Sequence, residues 1–152
     1  MTNNDVLRRL RYTLNFDDLK MTEVFALAEG RVTPEQIVKW LKKEEDPVYE
    51  TCSDIQLATF LNGLINEKRG KKEGAQSEPE KQLTNNMIFM KLKIAFNLKA
   101  DDVLEILSFV GFVISKHELS AFFRRPGHKH YQECKDQILR NFLKGLQLEY
   151  RE

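Results

Sequence analysis

Apolar residues recur along the chain at helical spacing, and each stripe comes back a second time. Leu7, Leu10 and Leu14 stand at i, i+3 and i+7, and Met21, Val24, Phe25 and Ala28 at i, i+3, i+4 and i+7. One face of a helix leaves that trace at about 3.6 residues per turn. Ile37, Trp40 and Leu41 make a third stripe, and Leu57, Phe60, Leu61 and Leu64 a fourth. Four later stripes repeat them in order. These are Phe89, Leu92, Phe96; Val103, Ile106, Leu107, Val110; Leu119, Phe122, Phe123; and Leu139, Phe142, Leu143, Leu146. Strand signals are nearly missing, since only Phe112–Ile114 is rich in β-forming residues and it is short. The pattern predicts an all-α protein of eight helices.

The repetition is of residues as well as of pattern. Residues 49–69 read YETCSDIQLATFLNGLINEKR, and residues 131–151 read YQECKDQILRNFLKGLQLEYR. Tyr49, Cys52, Asp54, Leu57, Phe60, Leu61, Gly63, Leu64, Glu67 and Arg69 thus return 82 positions later, from Tyr131 to Arg151. The offset reaches back to the start: Thr2-Asn3-Asn4 matches Thr84-Asn85-Asn86, and Asn15 matches Asn97. Between Thr2 and Arg69 there are 16 identities and no insertion, which marks a duplicated unit. Residues 1–69 form the first helical repeat and residues 84–152 the second. Residues 70–83, GKKEGAQSEPEKQL, hold Gly, Ser, Pro and charges, and are expected to be a solvated polar linker.

Two copies of one amphipathic unit pack in the manner of an isologous dimer. The expected architecture is therefore two homologous four-helix units about a pseudo-two-fold axis, sharing one core, with the fourth helices at their interface. Gly63 and Gly145 sit inside the fourth stripes, although glycine there costs about 1 kcal/mol relative to alanine. Close approach of another helix backbone, such as that of the opposite copy, would account for both. The third stripe opens with a capping box, Thr33-Pro34-Glu35-Gln36, and its counterpart is Ser115-Lys116-His117-Glu118. The fourth begins near Ser53 or Asp54, and near Asp136, whose side chains are expected to accept from first-turn N–H groups.

Composition adds less. Of 152 residues, 41% are apolar and 31% charged, as in ordinary soluble domains. A net charge of +1 sets up no field over the whole molecule toward nucleic acid or anionic membrane. The split is uneven: residues 1–70 carry 10 Lys/Arg against 12 Asp/Glu (−2), and residues 85–152 carry 11 against 8 (+3). The start, MTNNDVLRRL, has no apolar h-region, and no run of about 18 apolar residues occurs. The two cysteines are repeat equivalents rather than a disulfide framework. A cytosolic protein with no membrane association is expected.

Candidate chemistry is sparse. Cys52-x-Asp54 recurs as Cys134-x-Asp136, but the first repeat holds no histidine to act as base. A small buried residue followed by a helix cap fits both. His128-Lys129-His130-x3-Cys134 offers three ligands where a structural zinc site wants four. No P-loop, G-x-G-x-x-G, G-x-S-x-G or H-E-x-x-H occurs. No metal, cofactor or catalytic residue is therefore expected, and the chain reads as a binding module rather than an enzyme.

The second-to-third helix step is more suggestive. It resembles a helix-turn-helix, with a turn of about four residues near Gly30 or Gly111. Lys39, Lys42 and Lys43 follow in one copy, and Arg124 and Arg125 close the third helix of the other. With Arg8, Arg9, Arg11, Lys91 and Lys93 on the first helices they would form a basic stripe. The densest patch is expected at Arg124-Arg125, Pro126-Gly127 and His128-Lys129-His130; the first repeat offsets its lysines there with Glu44, Glu45 and Asp46. Phosphate contacts to nucleic acid are the leading partner class. The alternative is a protein partner on an exposed apolar surface.

The residues already quoted, NN-x5-L near each repeat's start and C-x-D-x2-L-x2-FL-x-GL near each end, resemble the bacterial YehS-like family. The resemblance covers both repeats and the linker. It implies a small cytosolic bacterial protein with a duplicated domain of unknown function, and it implies no activity, cofactor or catalytic residue.

Overall fold

The computed structural model describes residues 1–151; Glu152, the last residue of the second repeat, lies outside them. Eight helices follow in order: α1 (Asn3–Leu14), α2 (Asp18–Leu27), α3 (Pro34–Leu41), α4 (Asp54–Arg69), α5 (Asn85–Ala95), α6 (Ala100–Ser108), α7 (Lys116–Ala121) and α8 (Asp136–Tyr150). Among the described residues there is no strand, and Phe112–Ile114 is irregular chain leading into α7. No described helix is long and apolar enough to cross a membrane.

The helix ends follow local side-chain chemistry. Thr33 with Gln36, Ser53 with Gln56, and Ser115 with Glu118 each form a reciprocal capping box. Each box satisfies orphan N–H groups that a first turn leaves open. Asn15 and Asn97 take the left-handed conformation just past α1 and α5, at φ 54° and 55°. Asparagine tolerates that region better than other side chains, which explains its recurrence at both places.

The apolar stripes meet in one core running through both units. Phe25 packs against Trp40 and Phe60 at ring separations of 5.6 and 5.3 Å, and Phe89 against Phe142 at 4.6 Å. Burying each such ring contributes roughly 1.5–3 kcal/mol. Within a unit, α4 lies on α2 and α8 on α6; between units, α4 lies on α5 and α8 on α1. The cross-unit contacts are reciprocal, as a pseudo-two-fold requires. The fourth helices thus border the interface.

Two expectations need correction. A Cβ on Gly63 would overlap the Val24 carbonyl oxygen, and one on Gly145 the Ile106 carbonyl oxygen. The close approach is to the second helix of the same unit, not to the opposite copy. Asp54 and Asp136 do not cap their helices. Ser53 already caps α4, and α8 starts at Lys135 without a side-chain cap. The carboxylates tie in chain from outside their own unit instead: Asp54 accepts from Asn3 at 2.7 Å and from the N–H of Leu83, the last linker residue, at 2.8 Å, and Asp136 from Asn85 at 2.7 Å and from the Met1 amine of the first unit at 2.8 Å. Met1 and Leu83 are themselves 82 positions apart, so this bridge is built twice. The linker is mostly exposed and is also pinned at several points. Gln76 accepts from Asn66, Glu80 pairs with Lys91 at 3.0 Å, and Leu83 is held by Asp54.

Candidate nucleic-acid interface

The basic loop of the second unit hangs from one buried asparagine. Asn86 Nδ2 donates to the carbonyls of Phe122 (3.0 Å) and Gln132 (2.8 Å), and its Oδ1 accepts from the Cys134 N–H (2.9 Å). Between those anchors the chain makes two successive turns, with His128 N–H donating to Arg125 and Tyr131 N–H to His128. Asn4 does the same in the first unit, donating to Trp40 and Glu50 and accepting from Cys52. The repeated Asn-Asn and Cys-x-Asp residues are therefore the frame of one loop, built twice. The identity of polar residues at both places was visible in the sequence, but their joint role needed the fold.

On that frame Arg124, Arg125, His128, Lys129 and His130 are all exposed. Among the described residues none of these arginines or lysines forms an ion pair. His128 Nδ1 accepts from the His130 N–H at 3.0 Å, which settles the turn. α7 ends at Ala121, so Arg124 and Arg125 lie in the turn beyond the helix rather than at its end. Phe122 and Phe123 turn toward the core and carry the chain off the helix before Pro126. In the first unit α3 ends at Leu41; Lys42 is its half-buried C-cap, and Lys39 and Lys43 are exposed. Glu44 and Glu45 stand exposed beside them.

The first-helix cations are more committed than the sequence suggested. Arg8 donates to the Lys42 carbonyl at 3.0 Å and pairs with Asp5 at 2.6 Å. Arg11 reaches the Phe16 carbonyl at 3.4 Å. Arg8, Arg9 and Arg11 line a cleft between α1 and α8 together with Arg140, a residue the sequence did not single out. Lys91 is held by Glu80 and by Asn62 Oδ1 at 2.7 Å. Lys93 lies over the Phe123 ring, 5.4 Å from its centroid, beside the start of the basic loop.

The helix-turn-helix resemblance weakens at close range. The connection from α2 to α3 runs over residues 28–33 and that from α6 to α7 over residues 109–115, longer than a turn of about four. The third helices have only 8 and 6 residues. Gln36 is used in its own capping box, which removes it from base reading. The left-handed residue of the turn is Glu29 (φ 62°), matching Gly111 (φ 75°), and Gly30 instead abuts Thr59 and the Phe25 carbonyl.

The cysteines are free and buried. Burial, and then the carboxylate two residues on, push both thiols from 9.0 up to about 12. A thiol held protonated at neutral pH is a poor nucleophile. Each S–H instead points at the carbonyl of the next residue, at 3.7 Å. Asp136 is held below the usual carboxylate range, first by the Met1 amine and then by Asn85.

The chain is 48% identical over 147 residues to the uncharacterized protein YehS of Escherichia coli (strain K12), covering 96% of this chain and 94% of that protein. No solved structure matches. The model of the family described as protein of unknown function (DUF1456) matches twice, over residues 3–70 and 85–152, leaving out the linker between the two helical units. With both units matched in tandem and the frame residues inside each match, the chain belongs to the DUF1456 family.

Proposed function

We propose that the protein is a non-enzymatic cytosolic binding module whose second unit contacts the phosphate backbone of nucleic acid. What supports this reading above all is the loop hung from Asn86, which presents Arg124, Arg125, His128, Lys129 and His130 together, exposed, on a frame held by buried hydrogen bonds. A pre-ordered cluster of cations gives up little entropy on meeting phosphates. The short third helices and the use of Gln36 in capping favour backbone contact over base reading, so binding is sequence-independent. The first unit contributes the same frame with less charge, because Glu44 and Glu45 stand beside its lysines.

Fluorescence anisotropy with a mixed-sequence duplex at several salt concentrations tests this. Binding should weaken steeply with salt, and Arg124→Ala with Arg125→Ala should lower the slope by roughly one to two. Absence of binding at low salt removes the nucleic-acid reading. The protein-partner reading then takes its place, resting on Phe109 and Val113, which stand 42% and 84% exposed at the turn between α6 and α7.

A further inference from the structure

We propose that the cleft between α1 and α8 binds a small anion carrying a dianionic phosphoryl group, gripped by Arg9 from the first unit and Arg140 from the second. The cleft encloses about 310 Å³, the lower end of the range for pockets that take small ligands, about 300–1,000 Å³. Arg8, Arg9, Arg11 and Arg140 line it against one carboxylate, Asp5. Asp5 is spent on Arg8 at 2.6 Å. Asp136, one turn before Arg140 on α8, is spent on the Met1 amine and Asn85. Among the described residues Arg9 and Arg140 form no ion pair, and the Arg11 Nε is enclosed without a partner. Guanidiniums converging in a recess repel one another and weaken the interface they line.

The pseudo-two-fold supplies an internal comparison. Eighty-two positions away, Arg8 and Arg9 become Met90 and Lys91, and Arg140 corresponds to Ala58. Arg11 corresponds to Lys93, which lies over the Phe123 ring. At that α4–α5 crossing Lys91 meets a carboxylate: Glu80 of the linker sits 3.0 Å away, with the Lys91 side chain only 14% exposed. The fold therefore already seats an anionic oxygen at this place in one interface. In the other it offers more positive charge and, among the described residues lining it, no carboxylate that is not already paired. Three guanidiniums that form no ion pair among the described residues suit a ligand with two or more negative charges on a compact group. A phosphate monoester meets that condition, with its second ionisation near pH 6, and its oxygens fit the arginine fork. This site is separate from the loop of the second unit and does not rest on the nucleic-acid reading.

The test is a set of melts and calorimetric titrations of the full chain with inorganic phosphate and with pyrophosphate, against chloride at equal ionic strength. Both anions should raise the melting temperature of the unaltered protein and of the Arg124→Ala, Arg125→Ala variant. Arg140→Gln and, separately, Arg9→Gln should each weaken binding by about tenfold or more, the loss of a charge-assisted pair. Without ligand neither variant should melt below the parent, because each removes an unpaired like charge; a purely structural role would lower both. The duplex forms a further arm. If it binds in a manner that depends on Arg9 and Arg140 while neither free anion does, a phosphodiester is the ligand and the small-anion proposal is overturned. The proposal also fails if phosphate and pyrophosphate act no differently from chloride, or if both variants keep the full shift.

Discussion

Removing the Asn86 side chain should be among the costlier polar substitutions in this protein. Asn86 is only 7% exposed, and it makes three hydrogen bonds to main-chain groups of the loop: two carbonyls and the Cys134 N–H. Truncation to alanine leaves all three groups without that partner, and two of the three bonds, to the Phe122 carbonyl and the Cys134 N–H, are buried. At about 1 kcal/mol net per bond the loss is roughly 3 kcal/mol, and more if the groups stay dry. For a chain of this size about 2–4 °C of melting temperature go with each kcal/mol, so Asn86→Ala should melt about 6–12 °C lower. Asn4→Ala should behave alike, since Asn4 makes the same three bonds. Thermal and urea denaturation followed by circular dichroism give both values. Hydrogen exchange at the Cys134 amide should quicken in the first variant alone, and duplex binding should weaken with it. If Asn86→Ala melts within about 2 °C of the parent, the loop is not held in the way described.

Three further outcomes follow from particular side chains. Gly145→Ala should cost about 3 kcal/mol in urea titrations, because its Cβ would overlap the Ile106 carbonyl with no flexible neighbour to yield; a loss near that of an ordinary helical site would sink the packing claim. Glu29→Gly should stabilise by about 0.5–1 kcal/mol in the same assay, since Glu29 holds φ 62° where the second unit has glycine; a destabilised variant would mean that the Glu29 side chain has a role of its own. The thiols of Cys52 and Cys134 are raised in the folded state to about 12 from 9.0, so the unfolded chain releases their protons first. The stability they contribute is full below pH 9 and is lost as pH rises toward 12. Both should therefore resist alkylation at pH 8 in the folded protein and react on unfolding, and rapid labelling of the native chain would contradict this.

Much of the fold was legible because helical spacing and an unbroken offset are local facts. The eight stripes name the buried faces, and Leu7, Phe25, Trp40, Leu57 and their counterparts all lie in the core. What escaped depends on contacts far apart in the chain. An aspartate opening a helix reads as a cap by local rules, yet Asp54 reaches Leu83 and Asp136 reaches Met1, 29 and 135 positions away. A glycine inside a stripe announces a close backbone, but periodicity does not say whose; Gly63 faces Val24 of its own unit. The exposed basic loop could be named from its residues. The arginine cleft could not, because Arg140 joins Arg8 and Arg9 only once α8 is known to lie on α1.

One frame is built twice here, and only the first copy places carboxylates, Glu44, Glu45 and Asp46, beside the cations of its loop. The most direct test neutralises the difference between the copies. A first-unit variant, Glu44→Gln with Glu45→Gln and Asp46→Asn, keeps the acceptor that Asp46 offers to the Val48 N–H at 2.9 Å. Its affinity for a mixed-sequence duplex should be measured by anisotropy across a salt series beside the parent, a Lys42→Ala, Lys43→Ala variant and the Arg124→Ala, Arg125→Ala variant. The expected result is tighter binding with a steeper salt slope for the neutralised variant, little change on losing the first-unit lysines, and a slope lower by roughly one to two on losing the arginines. Equal losses from the lysine and arginine variants, with no gain on neutralisation, would contradict the claim that charge on the second unit sets the binding face.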